Sequence, residues 1–159
     1  MYATILPFTT TPPDAVVEEV RLRQIAGPRD VVVRLHDGEP GPGGWTVELD
    51  SLVGPPGGKA AVAAVITFSG PLSAAVKTAV DRADRDRIGP FFAERATDTQ
   101  RVLRLWQPEE RRQLVVVTAV DQPSLEAGFH GISSMELLPG EDPALLPEPD
   151  HVEIFEVTA

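Results

Sequence analysis

A chain of 159 residues, 42% of them hydrophobic, is long enough to bury one real core and too short for two large ones. Its 24 acidic against 14 basic residues give a formal charge of -10, which repels nucleic acid across most of the surface, so none is expected as a partner. With no cysteine, disulfides, thiolate nucleophiles and cysteine-ligated zinc or iron–sulfur centres are excluded together.

The opening MYATILPFTTTPP has neither a basic n-region nor a long apolar run. No secretory signal and no membrane partner are read there, and a cytoplasmic location is expected. Residues 1–9, rich in Ile, Phe and Thr, suit a first strand. Thr11 reads as an N-cap with Pro12 at the first helical position, opening a helix whose apolar stripe is Val16, Val17, Val20 and Ile25 and which stops at Gly27 and Pro28. Strands follow over 30–36 and 45–52, separated by a loop of glycines and prolines.

The segment VGPPGG is too broken for a helix and leads straight into an apolar strand over 60–68. A helix from about Leu72 then puts Ala75, Val76, Ala79, Val80 and Ala83 inward and Lys77, Asp81, Arg82, Asp84 and Arg85 outward, with a kink or stop at Gly89 and Pro90. Strands over 100–106 and 113–120, joined by the polar turn QPEERR, form a hairpin. Asp121, Gln122, Pro123 and Ser124 open another helix carrying Leu125, Phe129 and Ile132 on one side. Gly128 and Gly131 inside it each cost roughly 1 kcal/mol against alanine, so a close neighbour is expected there. The last strand covers 151–157 after an acidic, proline-rich loop.

From residue 59 onward the order is βαββαβ, that of a ferredoxin-like unit, and the first 58 residues read as the same unit without its second helix. The expected fold is α+β: a degenerate half, 1–58, and a complete half, 59–159, forming an α/β barrel of antiparallel sheets. The strands over 61–68 and 114–120 are apolar at nearly every position, so both of their faces are buried. Helices cover one face; a second sheet must cover the other, from this chain as a monomeric pseudo-dimer or from a partner as a homodimer. The strand over 60–68 is expected to be among the most buried and to be the seam shared by the two halves.

The stretches VITFSGPLSAAVKTAVDRADRDRIGPFF, LVVVTAVD and SSMELLPGEDPALLPEPDHVEIFEV resemble the dimeric α/β-barrel superfamily, and within it the antibiotic-biosynthesis-monooxygenase-like proteins of actinobacterial type. The resemblance implies two facing sheets around a cleft that takes a small apolar or aromatic molecule. Activities implied by it include cofactor-independent oxygenation, haem degradation and isomerisation, and it extends equally to members without assigned activity. The oxygenases and haem degraders of that superfamily rely on an asparagine, and this chain has none.

Arg104, Trp106 and His130 are the candidate catalytic residues. Arg104 sits on an otherwise apolar strand, where a guanidinium needs an acidic partner or an anionic ligand. Trp106 shares its strand face, as Val47 and Leu49 share that of Trp45; the plain reading of both indoles is packing. His130, between two glycines, is where a flat ligand such as haem could come close; the plain reading is a partly exposed helix histidine. His36 and His151 flank turns and loops, and no histidine pair has metal-ligand spacing, so neither a metal nor a cofactor is expected. The run DRADRDR reads as a solvated helix face with an Asp81–Arg85 pair, and GEPGPGG lacks the context of a phosphate loop. The functional expectation is a small-molecule-binding barrel, as an enzyme a cofactor-independent monooxygenase; the alternatives are a non-catalytic structural or ligand-sequestering barrel and a haem-binding protein.

Overall fold

In the computed structural model, residues 1–7, 16–38, 43–54, 58–94 and 98–158 are described. Eight strands, β1 (Tyr2–Pro7), β2 (Val16–Gln24), β3 (Asp30–His36), β4 (Trp45–Leu52), β5 (Val62–Phe68), β6 (Thr99–Gln107), β7 (Arg112–Ala119) and β8 (His151–Thr158), close into one antiparallel barrel in the order β1-β3-β2-β8-β5-β7-β6-β4. The ring is completed by a short pairing of β1 with β4, Tyr2 against Thr46 and Ala3 against Trp45. In each consecutive set of four strands the order around the barrel is fourth, first, third, second. Closure joins the first and last strands of the sheet within a single chain.

Between β5 and β6 run α1 (Ala74–Ala83), a π-helical turn (Asp84–Ile88) and α2 (Gly89–Glu94); α3 (Gln122–Ser133) joins β7 to β8. Local chemistry sets the starts. Ser73 accepts a hydrogen bond from the Val76 amide at 3.2 Å, and Asp121 accepts one from the Ser124 amide at 2.9 Å, each satisfying an otherwise orphaned donor of the first turn. No described helix is long and apolar enough to cross a membrane.

Two apolar layers result. Inside the barrel, Leu22, Val33, Leu35, Trp45, Val65, Leu105, Leu114 and Phe155 pack together with their neighbours. Outside it, Val62, Ala64, Val102, Val117 and Ala119 meet Phe92 and Leu125 from the helices. The near-continuous apolar character of β5 and β7 follows, because each contributes to both layers, and Ala63 and Ala64 on opposite faces of β5 are fully buried. One mouth of the barrel is closed by charge. Arg101 on β6 reaches Glu18 on β2, across the barrel, at 2.6 Å and Asp50 on β4 at 2.7 Å.

The structure corrects four expectations. The helix drawn through Val16, Val20 and Ile25 is the strand β2; its earlier part, 11–15, lies outside the described residues, as do 8–9 of the first strand. In β2, Val20 and Leu22 face the core while Arg21 and Arg23 are exposed, a period of two that the 3.6-residue reading missed, and Ile25 is left 48% exposed. Second, β5 is not shared between halves: it pairs only with β7 and β8, and the two sets of four meet at β2·β8 and β4·β6. Third, a bulge between Val47 and Leu49 turns Leu49 away from Trp45, to pair with Arg104 on the outer face. Fourth, the helical segment passes through a π-helical turn and runs on through Gly89 and Pro90 as α2, and Ala75 is exposed while Lys77 and Asp84 are drawn toward the sheet.

The close neighbour expected at the α3 glycines is a side chain of the protein itself. A Cβ on Gly131 would overlap the Phe91 ring, whereas one on Gly128 would meet nothing nearer than Phe92 at 3.9 Å. Gly131→Ala is therefore expected to destabilise by about 1–3 kcal/mol through overpacking. Gly128→Ala should gain up to about 1 kcal/mol from helix propensity. Urea unfolding of the two variants side by side checks both signs.

Candidate functional site

The pleat of β6 puts Val102, Arg104 and Trp106 on one face, the outer one, where α1 lies across it. Arg104 is met there by carboxylates from three elements. With Trp45 and Val47 facing the core, the alternation of β4 puts Glu48 on the outer face, its Oε2 3.3 Å from Arg104 Nε, and α1 supplies Asp81, whose Oδ1 is 3.2 Å from Arg104 Nη2. At the start of the π-helical turn, Asp84 accepts a hydrogen bond from Arg104 Nη1. Lys77, one turn before Asp81, donates to Asp81 at 2.6 Å and approaches Glu48 at 2.9 Å. Its ammonium stands 5.1 Å from the centre of the Trp106 ring.

Two cations and three carboxylates thus interlock under α1, with the Arg104 side chain 12% exposed. Burial pushes the Asp84 carboxyl above its ordinary range, against the pull of Arg104, with Asp81 adding repulsion. This arrangement does what the sequence required of Arg104: it provides acidic partners. Lys77, Glu48, Asp81 and Asp84 were not singled out beforehand as a site. Lys77, Asp81 and Asp84 are spaced i, i+4, i+7 and therefore share a helix face, and Glu48 alternates with Trp45 and Val47 to the outer face; both spacings are legible in the sequence.

DRADRDR is consequently a solvated face only in part. Asp81 pairs with Lys77 and Arg104, not Arg85. Arg82 donates to the carbonyls of Pro139 and Gly140, and the buried Arg87 donates to Glu141 at 3.0 Å. Arg85 and Asp86, bonded to each other, are the exposed residues of the run. The extra residue of the π-helical turn shifts the following side chains around the axis, which defeats an i, i+4 count.

His130 lies on the exposed side of α3 and has no side-chain bond to the Arg104 cluster among the described residues. The place a flat ligand was expected to approach is occupied by the Phe91 ring against Gly131. His151 is exposed at the start of β8. His36 is buried, with Nε2 3.0 Å from Thr4 Oγ1, beside a second ion pair in which Arg34 donates to Glu19 at 2.6 Å. Hydrogen bonds from Arg34 and Arg21 hold the Glu19 carboxyl below its usual range. Trp45 belongs to the barrel core, with the Arg112 guanidinium 5.0 Å from its ring centre. No group of three metal-binding side chains occurs among the described residues.

Two open grooves lie outside the barrel, on the helical layer. One, about 480 Å³, runs between α1 and the loop at Gly140–Leu146; the other, about 500 Å³, lies between α2 and the segment after α3.

The chain matches no family model and no curated protein. Among solved structures it is similar to one described as that of a major regulator of staphylococcal pathogenesis, with a TM-score of 0.64 over 99% of this chain and 98% of that one, at 9% identity. The likeness is one of fold.

Proposed function

We propose that this chain is a non-catalytic α/β-barrel that acts by binding, and that what it binds is taken on the helical layer and not between the sheets. The observation carrying this is the filled barrel: Leu35, Leu105, Leu114 and Phe155 occupy the space in which the superfamily resemblance requires a cleft. The commitment of Arg104 to three carboxylates supports it further, since a substrate anion would have to displace them. In this reading Arg104 and Trp106 fasten α1 to the sheet, and His130 is a surface residue. The matching strand order of the two sets of four supports a duplication of ferredoxin-like halves, 1–58 and 59–159. A regulatory protein that shares the fold is in keeping with a binding role.

The test is a titration with haem and with planar polyphenols, followed by absorbance and oxygen uptake. The expected result is no Soret shift and no oxygen consumption. A Soret shift that His130→Ala removes, or polyphenol-dependent oxygen uptake that Arg104→Gln removes, overturns the proposal.

A further inference from the structure

The groove beside α2 has an apolar floor of Phe91, Met135 and Leu138 and a rim bearing Asp86, Glu94 and Glu136. Its charges are of two kinds. Arg87 is engaged by Glu141 and Asp86 by Arg85, both within the protein. Glu94 and Glu136 are exposed and hold no ion pair among the described residues.

We propose that this groove docks a cationic amphipathic peptide segment of a partner protein, its apolar side chain on Phe91, Met135 and Leu138 and its lysine or arginine groups on Glu94 and Glu136. The inference rests on the reading of the helical layer as the binding surface. Two carboxylates that hold no ion pair among the described residues flank an apolar floor and complement that pattern, and a chain of charge -10 draws cations toward itself. The floor is preformed, because the Phe91 ring is seated against Gly131, while Met135 adapts to differently shaped side chains. The groove is a trough open along one side, which leaves a small molecule more exposed than the roughly 70–90% burial such ligands reach. A peptide extends beyond the trough and buries surface along its length.

The experiment is a titration of the ¹⁵N-labelled protein with a short lysine–leucine peptide, repeated with its glutamate–leucine counterpart and with the Glu94→Gln/Glu136→Gln variant. The expected result is saturable shifts at Phe91, Met135 and Leu138, with affinity about three- to tenfold lower in the variant, weaker binding in salt, and no shifts from the acidic peptide. Shifts confined to the groove beside α1, equal affinity for the variant, or no shifts at all overturn the docking site while leaving the helical-layer reading intact. Shifts in the barrel core at Leu105 and Phe155, with neither groove perturbed, overturn that reading as well.

Discussion

Glu141→Ala is expected to lower the stability of the fold by about 3–5 kcal/mol, the cost of leaving one member of a buried ion pair without its partner. The pair is Arg87 with Glu141, at 3.0 Å, with side chains 8% and 2% exposed. Arg87 comes from the π-helical turn and Glu141 from the loop before β8, so the contact fastens that loop to the helical layer. Glu141 also accepts a hydrogen bond from the Leu138 amide at 2.8 Å, and Arg82 holds the neighbouring Pro139 and Gly140 carbonyls. Alanine therefore strands a guanidinium and a backbone amide together. Arg87→Met combined with Glu141→Leu removes both charges and keeps apolar volume, and it should recover much of the loss. Urea unfolding of the single and double variants measures both. A loss below about 1 kcal/mol for Glu141→Ala would mean that the pair behaves as a solvated surface bridge.

What the sequence made legible divides along physical lines. The strands β3 and β4 are read to the residue because glycine and proline turns bound them, with three valines in a row in β3 and alternating Trp45, Val47 and Leu49 in β4. The start of α3 is legible because the residues from Asp121 to Ser124 can place a carboxylate on a free amide. β2 is not, because VVEEV carries a helical stripe at Val16, Val17 and Val20 and breaks strand alternation at the irregularity between Val16 and Glu18; alternation runs only from Glu19 to Arg23, and tertiary pairing with β3 and β8 decides it. The Arg104 cluster is half legible. An arginine on an apolar strand announces that a partner exists, and the alternation of β4 aims Glu48 at the same face; that Asp84 also answers depends on a π-helical turn, which has no sequence signature.

Arg104→Met is expected to cost about 3 kcal/mol, because it leaves Glu48, Asp81 and Asp84 facing only Lys77 beneath α1. The pH dependence distinguishes this cause from a loss of packing. Asp84 is raised above its ordinary value of 3.8 by burial, so its folded form holds a proton more tightly than its unfolded form. Its stabilising contribution is fully present below that ordinary value and is lost as pH rises through the raised folded value. Without Arg104 the folded value rises further, so the fall in stability with increasing pH becomes larger and reaches higher pH. Glu19, Asp121 and Asp150 carry the opposite sign. Their lowered folded values make stability fall as pH drops, in a window below the ordinary carboxylate range. The two windows lie on opposite sides of that range and separate in a titration. Asp84→Asn, which keeps a hydrogen-bond acceptor for Arg104 without the charge, should cost less than Arg104→Met and abolish the upper-window slope. Unfolding free energies at a series of pH values for the wild type, Arg104→Met and Asp84→Asn give the comparison. Parallel curves for all three would mean that the cluster acts through shape alone.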